Sequence, residues 1–184
     1  MNIKKVVGEC LRRMGEKDFT TSAAQLTDEQ KELQDKLLGA CNIVYREVVS
    51  RYIPTYYSQK VTFESGKTPL SSLQKKPLYI VSIKVGDSSV PFYVQSPSII
   101  AEIEGEATIK YACMPSEIDL NINSEINDLR LSQSAFCCGV LGEYYFQNKV
   151  FDLAKSFDGE FREQMNELKY KGRSIVIKAR RWKD

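Results

Sequence analysis

The chain has 184 residues, of which 42% are hydrophobic and 27% charged, and its net charge is +2. This size and composition predict one globular domain with a substantial core, and they exclude a fibrous or disordered chain. No apolar run approaches the roughly 18 residues of a membrane helix and no secretory signal is recognisable, so we expect a soluble, unexported protein. The absence of histidine excludes His-based triads, His-ligated zinc sites and imidazole general bases.

The charge is distributed unevenly along the chain. Residues 169–184 contain seven basic residues and one acidic residue, whereas the rest of the chain contains 19 basic and 23 acidic residues. The body is therefore mildly acidic and the C-terminal segment strongly basic. This asymmetry predicts that the segment meets an anionic surface, either nucleic acid or an acidic protein face.

The spacing of the cysteines and carboxylates gives little indication of a disulfide framework, a metal site or a catalytic site. The five cysteines lack paired spacing, which argues against a disulfide framework or a metal site, and we interpret them as buried small hydrophobic residues: Cys10, Cys41, Cys113, Cys137 and Cys138. Glu102, Glu104 and Glu106 are the tightest acidic group and are interpreted as a solvated loop. No phosphate-binding glycine loop or nucleophile elbow occurs. We therefore expect no catalytic residues, no metal and no cofactor.

Helical periodicity dominates the first third of the chain. Apolar residues recur at steps of three and four from Ile3 to Met14, and Gly15 supplies a left-handed stop. Thr27 and Gln30 form a capping-box pattern, which predicts the start of a long second helix. That helix is predicted to end at Pro54.

Alternating patterns in the middle of the chain predict strands. Turn residues at 86–89 predict a β-hairpin between two of them, and 66–76 is interpreted as a polar loop. We expect one small antiparallel sheet of four or five strands, drawn from Gln59–Glu64, Leu78–Val85, Val90–Val94, Ser98–Glu102 and Ala107–Cys113.

Two further helices are predicted after Pro115, from apolar stripes at Ile126–Tyr144 and Val150–Leu168. The stretch Ala135–Gly142 contains no charged residue, which predicts a central helix surrounded by protein. Small residues four apart within it, including Gly139, predict close approach to a neighbouring helix.

These elements predict an α+β fold in a single domain, 1–184. It would be mainly a bundle of four helices, from residues 1–54 and 124–171, with a small antiparallel β insertion at 59–113. A basic C-terminal docking strand lies at 172–184. The helices would form one bundle because each has an apolar stripe that only the others can cover.

The C-terminal tail is the predicted partner-binding site. A free apolar strand followed by two arginines and a tryptophan is a composition enriched at interfaces, and the predicted contact residues are Ser174, Ile175, Val176, Ile177, Lys178, Arg180, Arg181 and Trp182. Three other readings stay open. The strand could pair with the protein's own sheet, the tail could serve a nucleic-acid-binding module, or the chain could be an enzyme using Cys137, Cys138 or the Glu102–Glu106 cluster in an open cleft.

The order of elements resembles the head-to-tail connector or adaptor proteins of tailed bacteriophages, including the tail tubular protein A type of short-tailed phages. The likeness spans nearly the whole chain. It rests on the packing patterns of segments 12–15, 41–48, 109–115, 139–145 and 157–165.

The resemblance implies a non-enzymatic virion neck protein, made in the bacterial cytoplasm. It implies a homo-oligomeric ring, typically twelvefold, beneath the portal protein. The ring would contact other neck or tail proteins and pass double-stranded DNA through its centre without reading its sequence. The tail from Ser174 to Lys183 would dock on the portal by strand addition.

Overall fold

A computed structural model of the chain describes residues 1–20, 26–120 and 131–171, with side chains up to 168 in the last range. Its elements, in chain order, are α1 (Ile3–Arg13), α2 (Asp28–Arg51), β1 (Thr55–Phe63), β2 (Lys67–Pro69), a 3₁₀ turn (Leu70–Ser72), β3 (Pro77–Val85), β4 (Ser88–Val90), β5 (Phe92–Gln95), β6 (Ser98–Ala101), β7 (Gly105–Cys113), α3 (Gln133–Gln147) and α4 (Phe151–Lys171). No helix within these ranges is both long and apolar enough to cross a membrane.

The chain divides into two compact units. The helical unit comprises Met1–Val44 and Ile118–Asp184, and the β unit comprises Tyr45–Glu117. The helical unit is thus built from two separated stretches of sequence, and the β unit is continuous. Whether the two units behave as a single domain stays a prediction.

The local signals predicted for the end of α1 and the start of α2 are present, whereas α2 ends at Arg51, three residues before the predicted stop at Pro54. Gly15, just after α1, has φ of 82°. The Thr27 amide donates to the Gln30 side chain at 3.1 Å, and the Gln30 amide donates to the Thr27 hydroxyl at 3.3 Å. This reciprocal capping box satisfies two backbone donors at the start of α2.

Helix α3 is the centre of the helical unit. All eight residues from Ala135 to Gly142 are buried, which confirms the prediction from their lack of charge. A Cβ atom on Gly139 would lie 2.8 Å from Cγ1 of Val44 and 3.0 Å from Cδ2 of Phe161. A glycine at this position is therefore what allows α3 to pack this closely against its neighbours.

The β unit contains two antiparallel sheets. In the described residues, one has four strands in the order β1-β7-β3-β4 and the other three strands in the order β2-β6-β5. The two sheets share one hydrophobic core, formed by Val61, Phe63, Leu73, Ile83, Ile99, Ala101, Ala107, Ile109, Tyr111 and Cys113.

The prediction of a small β insertion in a mainly helical fold is wrong. The protein is α+β. Its described residues form four helices and two sheets, which together contain seven strands. One missed strand, β2, lies in the stretch interpreted as a polar loop. Its three residues pair with β6 through the backbone, and only Thr68 is buried. Such a short strand leaves no hydrophobic pattern to detect.

The predicted hairpin forms, but its second strand is split between the two sheets. β4 pairs with β3, whereas β5 pairs with β6 in the other sheet. Pro91 lies at the junction, and its missing N–H prevents an uninterrupted hydrogen-bonded ladder. A single predicted strand therefore serves both sheets.

Candidate interaction surfaces

The predicted partner-binding residues Ser174, Ile175, Val176, Ile177, Lys178, Arg180, Arg181 and Trp182 lie outside the described residues. Their role as a docking strand stays a prediction. The surfaces below belong to the described parts of the two units.

The cysteines of the helical unit lie in its interior. Cys10, Cys41 and Cys137 have no exposed surface, and Cys138 is 1% exposed. Burial raises the pKa of the Cys41 thiol to about 12. The open cleft required by the enzyme alternative is therefore not present at Cys137 or Cys138.

The acidic cluster is spread over the surface of the β unit. Glu102 lines an open recess, and Glu106 pairs with Lys60 at 3.4 Å. No group of three metal-ligating side chains occurs within residues 1–20, 26–120 and 131–168.

A compact apolar surface lies at the turn between α3 and α4. Phe146 and Phe151 are 61% and 59% exposed, and their rings meet edge to face with centroids 6.0 Å apart. Val150, which precedes Phe151, and Leu153, in the first turn of α4, are also exposed. We call these four residues the hairpin-end patch.

The backbone beneath the hairpin-end patch is held by a Schellman motif. The Lys149 amide donates to the Phe146 carbonyl at 3.0 Å, and the Val150 amide donates to the Tyr145 carbonyl at 2.9 Å. Lys149 itself has φ of 62°, in the left-handed region. These bonds fix the end of α3, so the aromatic rings are presented by an ordered turn.

A second, different apolar surface lies in the β unit. An open recess of about 520 Å³ is lined by Ser65, Gly66, Pro91, Phe92, Tyr93, Ile100, Ala101 and Glu102. Tyr93 is 59% exposed and Val94 beside it 49%. Half of the lining residues belong to β5 and β6 of the three-stranded sheet.

The four-stranded sheet has one face on the shared core and the other open. Strand register aligns the open-face residues of β1, β7 and β3 in three rows: Tyr56, Ala112 and Tyr79; Ser58, Lys110 and Ser82; Lys60, Thr108 and Lys84. The three lysines are exposed, and both tyrosines are about half exposed. We call this surface the open sheet face.

The two tyrosines of the open sheet face come together across the central strand. Their hydroxyl groups are 3.5 Å apart, and Ala112, which lies between them in the register, is fully buried. The hydrogen bond with Tyr56 raises the pKa of Tyr79. Lys110 Nζ lies 5.3 Å from the centre of the Tyr56 ring, a cation–π contact.

Sequence reasoning missed both the hairpin-end patch and the open sheet face. The patch had a detectable signal, because Phe146 and Phe151 flank a turn where polar residues are expected. The open sheet face had only a partial signal. Alternation places Tyr56, Ser58 and Lys60 on one side of β1, but no pattern within one strand shows which strands lie beside it.

No model of a known protein family matches this chain, and no curated protein matches it either.

Proposed function

We propose that this protein is a structural, non-enzymatic component of a tailed-phage neck, where copies of the chain form an adaptor ring between the portal and the tail. The proposal starts from the resemblance in element order. The same order of elements supports it in the structure, because the helical unit consists of two stretches of sequence and the β unit lies between them in the chain. The observation that carries it is the exposed hairpin-end patch.

The hairpin-end patch has the properties of an assembly contact. Two phenylalanines in contact with each other are exposed at an ordered turn, and two aliphatic residues are exposed at or just after it. Contiguous exposed apolar surface is unusual on a monomer and marks sites of protein association. Because the turn is fixed by backbone hydrogen bonds, little conformational entropy would be lost when the patch is covered.

A ring requires two different complementary surfaces on every subunit, because its interfaces are head-to-tail. The chain has two different surfaces that expose apolar side chains, the hairpin-end patch and the recess beside Tyr93. In our proposal, the patch of one subunit packs against the recess of the next. A two-fold dimer would instead require one self-complementary surface.

The basic tail has a separate role in this proposal. Residues 174–182 would add a strand to the portal protein, with Arg180, Arg181 and Trp182 contacting an acidic, partly apolar surface. The ring would act in the virion neck and let double-stranded DNA pass through its centre. This part rests on the sequence, because the tail lies outside the described residues.

The test is the assembly state of the full chain, alone and with a portal ring of the same virus. Light scattering and negative-stain imaging should show annular particles of one defined mass. The double variant Phe146→Ser/Phe151→Ser should reduce assembly while leaving the melting temperature of the subunit nearly unchanged, since both rings are exposed. Val85→Ser, which removes an exposed apolar side chain elsewhere, is the matched control.

Two results would overturn the proposal. One is a wild-type chain that stays monomeric both alone and with the portal ring. The other is a symmetric dimer whose stability is unaffected by the double variant. A deletion of residues 173–184 should abolish portal binding, and retention of binding would refute the docking role of the tail.

A further inference from the structure

We propose that the open sheet face binds single-stranded nucleic acid. This inference does not rest on the adaptor ring, because it concerns a different surface and a different partner. It also differs from the basic-tail alternative, because every residue that it uses lies in the β unit. Its basis is a set of three lysines, two tyrosines and several hydroxyl groups that the strand register brings onto one sheet face.

The charge of the face suits a polyanion. Lys84 and Lys110 have no carboxylate within salt-bridge distance among the described residues, and Lys60 pairs with Glu106 at 3.4 Å while both side chains stay more than two-thirds exposed. An exposed pair of this kind is weak and can exchange for a phosphate. Neighbouring strands lie about 5 Å apart, and residues i and i+2 of one strand, which share a face, lie about 7 Å apart. The backbone positions of the three lysines are therefore roughly 8–10 Å from one another. That separation allows them to contact different phosphates of one strand.

Hydroxyl groups fill the positions between the lysines. Ser58 and Ser82 flank Lys110, and Thr108 lies between Lys60 and Lys84 in the register. Serine and threonine hydroxyls are common donors to phosphate oxygens and sugars. The middle of the face is therefore polar and rich in donors, with no aliphatic side chain in these two rows.

The tyrosines favour a single strand over a duplex. Tyr56 and Tyr79 form the row beside Lys110, and about half of each side chain is accessible. Sequence-tolerant binding of single strands combines a cationic surface with aromatic rings on which unpaired bases stack. In a duplex, the bases are already stacked and paired, so the rings would contribute little.

The composition of the face argues against a protein partner. Lysine is depleted in the centres of protein–protein interfaces, which are apolar. The hairpin-end patch shows the contrast, because it presents two phenylalanines, a valine and a leucine. The open sheet face instead presents lysine, serine and threonine beside tyrosine.

The experiment measures binding of the full chain to a labelled mixed-sequence single strand of about 12 nucleotides, and to its duplex, by fluorescence anisotropy. Lys84→Gln/Lys110→Gln should weaken single-strand binding by roughly tenfold or more at low salt. It should also reduce the steepness of log K against log salt by about 1.4, for two lost phosphate contacts. Lys67→Gln/Lys155→Gln is the control, since it removes two exposed lysines elsewhere.

Stacking is tested at Tyr79. Tyr79→Ser should weaken binding by about fivefold or more, whereas Tyr79→Phe keeps the ring and should retain most of the affinity. A melting curve for each variant separates lost binding from lost folding.

A variant of the tail, Arg180→Gln/Arg181→Gln, measures the contribution of the tail to binding. It loses the same two positive charges as Lys84→Gln/Lys110→Gln, which is called the sheet variant below. The proposal is overturned if this tail variant abolishes binding while the sheet variant does not. It is also overturned if neither nucleic acid binds at low salt, or if duplex binds as tightly as single strand and Tyr79→Ser has no effect. Retained binding by Phe146→Ser/Phe151→Ser would show that the site works independently of the proposed ring.

Discussion

Asn42 and Ile118 exchange two hydrogen bonds across 76 positions of sequence. The Asn42 side chain donates to the Ile118 carbonyl and accepts from the Ile118 amide, both at 2.9 Å. The pair fastens the segment that follows β7 onto α2, at the point where the chain re-enters the helical unit. One amide side chain thus satisfies both backbone groups of one residue.

Replacing Asn42 by leucine should therefore destabilise the protein. The substitution leaves the amide and carbonyl of Ile118 without these partners, which costs about 1–3 kcal/mol per unsatisfied buried group. Chemical denaturation measures the loss. Ser50→Ala, which removes an exposed hydroxyl from the same helix, should change the free energy of unfolding by less than about 0.5 kcal/mol. Equal effects of the two variants would contradict the role of Asn42.

Substitution by alanine should have opposite effects on stability at Gly139 and at Gly159. At Gly139 the new methyl group would meet the buried side chains of Val44 and Phe161 at 2.8–3.0 Å, so Gly139→Ala should destabilise by about 1–3 kcal/mol. At Gly159 nothing lies within 4 Å. Gly159→Ala should stabilise α4 by about 0.5–1 kcal/mol. Thermal unfolding should shift in opposite directions, and a shift of the same sign would refute the packing argument.

Lys149→Gly should stabilise the turn beneath the hairpin-end patch. Lys149 has φ of 62°, where an L-residue is disfavoured by about 1–2 kcal/mol and glycine is not. The gain is reduced by the greater freedom of glycine in the unfolded chain. We expect a net gain of about 0.5 kcal/mol in denaturant unfolding. A loss of stability would show that the lysine side chain contributes more than its backbone strain costs.

The thiols of the native protein should resist alkylation over a wide pH range. All five cysteines are buried, so the reagent has little access to their thiols. Burial also raises the pKa of Cys41 to about 12, and although hydrogen bonding with Cys10 lowers the pKa of Cys137, that thiol has no exposed surface. Mass spectrometry after iodoacetamide treatment should find unmodified protein until denaturant is added, and then five modified cysteines. Rapid modification of one native cysteine would contradict this prediction and would show that its thiol is accessible.

The pH dependence of stability should contain a contribution from Glu9. Hydrogen bonds from Arg12 and Arg13 lower the pKa of its carboxyl group. Because the folded pKa lies below the unfolded one, the stabilisation is present above about pH 4.3 and is lost as the pH falls through the folded value. Glu9→Gln should flatten the stability profile in this acidic range. Glu104→Gln serves as a control, because no cation contacts that carboxylate in the described residues.

The helical unit was largely predictable from local patterns. Each of three features could be recognised from a few adjacent residues: the capping box at Thr27, the stop at Gly15 and the uncharged stretch Ala135–Gly142. The size of the β unit was not predictable in this way. β2 is only three residues long, and the change of sheet at Pro91 occurs within one apparent strand.

The sequence by itself determined where α1 ends and α2 begins, which helix is central, and that the last residues are basic and apolar. These properties follow from a residue and its neighbours within a few positions. Only the tertiary structure decided that Lys60, Lys84 and Lys110 share one sheet face with Tyr56 and Tyr79. They come from three strands separated by long stretches of sequence, and strand order and register are set by pairing and core packing across the whole unit.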